Sequence, residues 1–470
     1  MRQPSDRPLV SVVIPTYNRS GLLRLAIESV LAQTYPAIEM IVVDDGSSDD
    51  TPAVAAAFAP RITYIRQSNR GGAAARNAGL QAARGAYINV LDDDDLMLPT
   101  KIEQQVRVLE RRPEIGLVHC GYYMISQSGR KLERVSFLPD GTLEELIVLN
   151  PIWSGAPLMR RECVERVGGY RPLVVEDWDL WLRISLAGYA FACIQEPLGA
   201  YRMTAGSIMS NVARVERDSM AMLDDLFADP ALPAPVQARR NDAYGTTCLW
   251  LSWRYYHSHQ WEAAQRCLER ALSFIPQLKT DDMFLANLLV EGAFGAYIAD
   301  PLEFMEGMLA HLPPPAHHLE RHATYMRAQT HLGVALRLYG WGQIGEAQDH
   351  LRQALALQPT LLDQPAVFAD RMRHIATRQP DLDPERFVET VLRHLPAEAR
   401  SLFRLRATLV SAARFAAAFD DYHAGRRHRV IPHLATALRY DPSGLLNRGV
   451  VAIAVKSLPA FLGHQLTIGR

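Results

Sequence analysis

Two short runs of branched apolar residues each break off directly into adjacent carboxylates, and this constrains the fold more than any other feature. Ile38–Val43 (IEMIVV) ends in Asp44-Asp45-Gly46-Ser47, and Ala86–Leu91 ends in Asp92-Asp93-Asp94-Asp95. Runs of this kind are too short for a buried helix and read as strands covered on both faces. Leu9–Ile14 (LVSVVI) and Ile62–Ile65 read the same way, and helical spacing fills Leu22–Gln33 and Gly71–Arg84 between them. Strands alternating with helices predict an α/β domain with a mostly parallel sheet. Ligands of such sheets bind beyond the carboxyl ends of the strands, where both acidic clusters fall.

The chain has 470 residues, more than one core accommodates, so at least two domains are expected. From about Arg217 the pattern turns helical and repeats. Asp300-Pro301-x-x-Phe304-x-Glu306-x-x-Leu309-x-His311-Leu312-Pro313 recurs 83 residues on as Asp383-Pro384-x-x-Phe387-x-Glu389-x-x-Leu392-x-His394-Leu395-Pro396. The same offset relates Tyr256, Tyr339 and Tyr422, and the Ala-Leu-x-x-x-Pro endings 271–276, 354–359 and 437–442. Three copies are expected, near 217–299, 300–382 and 383–465, as stacked helical units. The expected domains are therefore 1–216 and 217–470.

Lys and Arg (50) nearly balance Asp and Glu (51), which removes the electrostatic case for nucleic-acid binding. Cys120, Cys163, Cys193, Cys248 and Cys267 form no CxxC pair, and reduced cytoplasmic thiols are expected rather than a disulfide frame or a zinc site. The sequence enters a strand by Leu9, which leaves no room for a signal peptide. Leu445–Leu462 is interrupted by Arg448, Lys456 and Pro459, so no transmembrane segment is expected, and membrane contact would be peripheral, at the inner face.

Taken singly, the acidic motifs have ordinary explanations. A run of aspartates is usually a solvated turn, and Asp-Gly ends many strands. In Glu176-Asp177-Trp178-Asp179-Leu180-Trp181-Leu182-Arg183, Asp177 can be a helix cap. Trp178 and Trp181 can fill a core or stack on a sugar, core packing being favoured for Trp181. Arg183 can pair with Glu176 or Asp179. The chemical alternative is that Asp92 and Asp94 bind a hard cation, while Asp177 is a candidate base.

In order, the segments Val12-Val13-Ile14-Pro15-Thr16-Tyr17-Asn18-Arg19, Gln33-Thr34-Tyr35-Pro36, Ile41–Asp49, Asn69–Gly79, Leu91–Asp95 and Glu176–Arg183 resemble a family-2 glycosyltransferase with a GT-A fold. The resemblance covers residues 9–211. It implies an inverting hexosyltransferase-type enzyme that uses a nucleotide-sugar donor, a UDP-sugar first among the choices. The donor would be held by Pro15, Tyr17, Asp45, Arg76 and Asp93. Tyr17 would stack on the base, Asp45 would hydrogen-bond it, and Arg76 would lie near the phosphates. Asp92 and Asp94 would form a DxD pair for Mg²⁺ or Mn²⁺, and Asp177 would be the general base. The acceptor would be a glycan, a lipid-linked sugar or a protein. Where the family often has a histidine after Tyr201-Arg202, this chain has Met203-Thr204. Trp261-Glu262-Ala263-Ala264-x3-Leu268-x2-Ala271-Leu272-x3-Pro276 resembles a tetratricopeptide hairpin, which implies a protein partner or self-association. An inactive donor-binding scaffold is the alternative. A sugar nucleotidyltransferase would want a Gly-rich basic loop after the first strand, which Pro15-Thr16-Tyr17-Asn18 is not.

Overall fold

The computed structural model describes residues 7–135, 142–204, 208–295, 298, 300–363, 365–378, 383–423, 426–443 and 447–468. The chain forms two compact units, residues 1–244 and 245–470. The junction expected at 216/217 falls inside the helix Val212–Ala228, and the observed division falls inside the helix Arg240–His257.

In the first unit, β1 (Val10–Thr16) lies between β2 (Ile38–Asp44) and β4 (Tyr87–Val90), both parallel to it, and β3 (Thr63–Arg66) extends the sheet beyond β2. These four strands match the sequence reading, and every residue of β1 is buried. The rest of the sheet is mixed. It comprises β5 (Leu96–Met97), β6 (Ile115–Ile125), β7 (Lys131–Val135), β8 (Leu158–Arg160) and β9 (Ala190–Arg202). β8 runs antiparallel to both β4 and β6, β9 runs parallel to β6, and β5 and β7 pair antiparallel with β9 and β6. The strand order is β3-β2-β1-β4-β8-β6-β9-β5, with β7 beside β6. An α/β unit built on this GT-A-like sheet, followed by a helical region, is the expected fold class.

The helices of this unit are α1 (Ser20–Leu31), α2 (Thr51–Ala57), α3 (Gly72–Ala82), α4 (Lys101–Arg111), α5 (Leu143–Leu146), α6 (Arg161–Arg166) and α7 (Glu176–Leu186). α1 buries Leu23, Ala26, Ile27 and Val30, an i, i+3, i+4, i+7 face. α3 packs unusually close to β1. A Cβ at Gly79 would lie 2.2 Å from Val13 Cγ1, so only glycine lets the helix approach this far. Two residues earlier, Asn77 bonds both backbone groups of Tyr170, at 2.8 and 2.9 Å, and so places the segment that leads into α7. In α7, Trp181 is fully buried and Trp178 nearly so, its indole N–H bonded to Leu146 O. Both tryptophans are core residues, and neither is free to stack on a sugar. Arg183 pairs with Asp179, not Glu176.

The second unit is helical. Helices Pro301–Ala310, Ala323–Gly340 and Ile344–Leu357 recur, at the sequence offset and with unchanged lengths, as Pro384–Arg393, Arg406–His423 and Arg427–Tyr440. Asp300 and Asp383 each cap the following helix, with proline at its first position. The alanines at 264, 347, 271, 354 and 437 are all fully buried, as close helix approach requires. Among the described residues no helix is long and apolar enough to cross a membrane, and no disulfide forms.

Candidate active site

The parallel register brings the acidic strand ends to one level. Thr16 lies opposite Asp44, and Val13 lies opposite Val90. Three residues further along both chains, Asp93 falls beside Thr16, whose hydroxyl donates to Asp93 Oδ2 at 2.7 Å. Asn18, at φ 54°, turns the chain after β1. Its N–H donates to Ser47 Oγ and its Oδ1 accepts from Ser48 N–H, which ties the β1 and β2 loops together. Tyr17 stands out from this turn, 46% exposed. Its ring is available for stacking. Pro15 is different: it is buried inside β1, opposite Val43.

Asp45 is also buried, and its acceptor positions are largely taken. Oδ1 accepts from Gln67 Nε2 at 2.7 Å and Arg70 N–H at 2.9 Å, and Oδ2 accepts from Gly71 N–H at 2.7 Å. The carboxylate thus anchors the loop that starts α3, and at most one lone pair remains for a nucleobase. Gly46 beside it has φ +86°, and an added Cβ would lie 3.0 Å from Asn69 N, so the turn needs glycine. Asp45→Ala strands two backbone N–H groups and an amide, and should cost about 2–3 kcal/mol in urea unfolding. A variant as stable as the parent would show that the anchor is dispensable.

Arg76 rises from α3 to bridge two acidic elements. Its Nη2 pairs with Asp92 Oδ1 at 2.5 Å, its Nη1 pairs with Glu176 Oε1, and its guanidinium lies over the Tyr170 ring. Burial alone would lower its pKa, but Asp92 and Glu176 raise it further, so the group stays charged. The resemblance implies a place for Arg76 near the donor phosphates; in this structure its partners are the Asp92 and Glu176 carboxylates. Asp92 Oδ2 accepts from Ser154 Oγ at 2.7 Å. Asp94 Oδ2 accepts from Arg19 Nη1 at 2.8 Å and from Thr204 Oγ1 at 3.1 Å. Thr204 therefore orients Asp94 directly from the place where the family often has histidine. The neighbouring residues 205–207 lie outside the described residues. Asp95 is wholly buried between Trp153 Nε1 at 2.6 Å and Arg202 N–H at 2.8 Å, and serves structure. The sequence gives Thr16, Arg19, Trp153, Ser154 and Arg202 no role, because nothing local marks a side chain that pairs across 58 to 108 positions.

Electrostatically the cleft carries too many carboxyls. Burial pushes Asp93 up to about 7, despite Thr16 and Arg19. Burial, then Asp92, raises Asp94. Burial pushes Glu176 up to about 7 and Asp177 up to about 6. Asp177 is half-buried at the start of α7, and its Oδ1 accepts from Trp178 N–H at 2.6 Å. Among the described residues no three acidic, histidine or cysteine side chains form a ready metal cage. The donor set at Asp92 and Asp94 fits a hard cation that takes one or two carboxylates and completes its shell with substrate phosphates. The surplus of negative charge beyond Arg19 and Arg76 fits it as well.

The family model for glycosyl transferase family 2 matches residues 11–168. TuaG of Bacillus subtilis, named for teichuronic acid biosynthesis, is 30% identical over 211 residues, which span 44% of this chain and 83% of that protein. The chain belongs to glycosyltransferase family 2. An uncharacterized glycosyltransferase of Rickettsia prowazekii is 41% identical over 192 residues, covering 39% of this chain and 60% of the relative. The chain thus spans under two thirds of that relative's length. Among solved structures, a mannosyltransferase of Pyrobaculum calidifontis in complex with GDP-Man and Mn²⁺ aligns at TM-score 0.42 and 19% identity, over 66% of this chain and 88% of that one. The family match and the acidic cleft fall on the same unit, at the same strand ends.

Proposed function

We propose that residues 1–216 transfer a sugar from a nucleoside diphosphate to a hydroxyl acceptor, with inversion at the anomeric carbon. The observation that carries this reading is the Arg76 bridge. One guanidinium joins Asp92, at the metal-fitting strand end, to Glu176, the residue beside the candidate base Asp177.

Asp92 and Asp94 would hold Mg²⁺ or Mn²⁺, which when bound neutralises charge on the leaving diphosphate. Tyr17 presents a ring for the base, and Asp45 keeps the α3 N-terminus in place, where backbone N–H groups favour phosphate. Asp93 is locked by Thr16 and Arg19, so its part is to shape the donor floor. Asp177 takes the proton from the acceptor oxygen as that oxygen attacks the anomeric carbon from the face opposite the diphosphate. An α-linked donor then yields a β-glycoside. UDP-sugars are the first donors to try. A glycan, a lipid-linked sugar or a protein is the acceptor, and the enzyme works in the cytoplasm, in peripheral contact with the membrane where the acceptor is lipid-linked. Residues 217–470 form about three copies of a tetratricopeptide-like unit that binds the acceptor, a partner protein or a second copy.

A thermal-shift screen of nucleotide sugars with Mn²⁺ tests donor binding. A donor at one hundred times its Kd adds about 2.7 kcal/mol of stability and should raise Tm by several degrees. If no nucleotide sugar shifts Tm, with or without Mn²⁺, the reading fails.

A further inference from the structure

Three helix pairs in the helical region share one geometry. Arg240–His257 with Trp261–Phe274, Ala323–Gly340 with Ile344–Leu357, and Arg406–His423 with Arg427–Tyr440 are each 18 and 14 residues long. The frame around them repeats in atomic detail. The hydroxyl of Tyr256 donates to His311 O and that of Tyr339 to His394 O, both at 2.9 Å. Ala264, Leu268 and Ala271 are buried like their counterparts Ala347, Leu351 and Ala354.

At one place in this frame the two helices face each other through a polar pair. His331 Nδ1 lies 3.0 Å from His350 Nδ1 in one hairpin, and Arg414 Nη1 lies 3.1 Å from His433 Nδ1 in the next. The same two positions in the first hairpin hold Cys248 and Cys267, which are 0% and 1% exposed. A cysteine sulfur lies near where a histidine ring begins. Cys248 and Cys267 therefore sit at facing positions across the same helix–helix seam, where a disulfide needs Cα atoms within ~7 Å of each other. The other two fully buried thiols have different surroundings. Cys120 Sγ donates to Ala156 O and Cys163 Sγ to Gly116 O, and burial pushes their pKa values up to about 11 and about 12.

We infer that Cys248 and Cys267 form a cross-helix dithiol which a hydroperoxide converts to a disulfide. One sulfur, as thiolate, attacks a peroxide oxygen. The O–O bond breaks, water leaves and a sulfenic acid remains. The second thiol then attacks that sulfur, the S–O bond breaks and a second water leaves. The two sulfurs give up two electrons, hydrogen peroxide takes them, and two thiols become one disulfide and two waters. Because both sulfurs are buried, the reaction waits on local opening of the hairpin and is slow compared with that of an exposed thiol. The product staples the first hairpin.

The test uses the full chain. The folded protein is treated with hydrogen peroxide, quenched, alkylated, and digested without reduction for peptide mapping. The expected result is a linked peptide pair carrying Cys248 and Cys267, with the denatured thiol count falling from five to three and returning with dithiothreitol. Tm should rise by several degrees on oxidation, and Cys248→Ser should abolish both the link and the rise. If that variant does not fold, the wild-type map decides alone. No thiol loss, a different pairing, sulfinic or sulfonic acids at these two residues without a link, or a link formed only after unfolding would each overturn the inference.

Discussion

Asp177→Asn should lower the turnover number by about three orders of magnitude, within the ~10²–10⁴-fold range of general-base catalysis, while donor affinity and Tm stay near the parent values. The substitution is nearly isosteric, and an amide oxygen can still accept from Trp178 N–H as Asp177 Oδ1 does at 2.6 Å. What it removes is the lone pair that takes the acceptor proton. The pH profile supplies an independent readout. Burial pushes the Asp177 carboxyl up to about 6, and the base works only when deprotonated. Activity should therefore fall as pH drops through about 6 and level off above it. A bound cation, by neutralising Asp92, would move this limb toward lower pH, since Asp92 is among the groups that hold the Asp177 pKa up. In the Asn variant the acid limb should vanish from whatever activity remains. Unchanged turnover, or an intact limb, would remove Asp177 from the base role.

The second large effect concerns stability. Arg76→Met should destabilise the protein by about 3 kcal/mol in urea unfolding, the lower end of the cost of breaking a buried ion pair by removing one partner. The Arg76 side chain is 13% exposed and its partners Asp92 and Glu176 are 25% and 14% exposed, so both carboxylates would lose their counter-charge in a poorly solvated cleft. Arg76→Met with Glu176→Gln should cost less than the single change, because one of the two stranded charges is then gone. Mn²⁺ should restore part of the loss in the single variant, since a cation at Asp92 replaces the missing charge. If the double variant is as unstable as the sum of the two single changes, the bridge is not a unit.

Much of the first unit is legible in the sequence, for a local reason. β1, β2 and β4 are continuous branched-apolar runs with one reading, and the carboxyl ends of β2 and β4 carry the acidic clusters. The mixed half of the sheet is not legible in this way. The three residues of β8 acquire strand character only by pairing with β4 and β6, partners tens of residues away. The site divides along the same line. Asp92, Asp94 and Asp177 stand out because carboxylates crowd at element ends. The groups that hold Asp92 and Asp94 do not, because Arg19 and Ser154 meet them only after folding. Asp45 shows the opposite case. Its residue type suggests a ligand contact, but three donors from the loop that starts α3 already take most of its acceptor positions. Trp178 likewise has the chemistry of a sugar platform and the position of a core residue. In the helical region the offset is visible in the letters alone, because each copy must present the same apolar face to its neighbours. The offset also marks Cys248 and Cys267 as equivalent to His331 and His350, but that these positions face each other is visible only in the folded pairs His331–His350 and Arg414–His433.

The most direct measurement is release of nucleoside diphosphate from a nucleotide sugar that raises the protein's Tm, followed with Mn²⁺, with a chelator, and with Asp94→Ala. The cleft described here predicts release by the wild-type protein with Mn²⁺, and a loss of at least a hundredfold both on chelation and in Asp94→Ala. Release that persists unchanged without the cation and without the Asp94 carboxylate would contradict it.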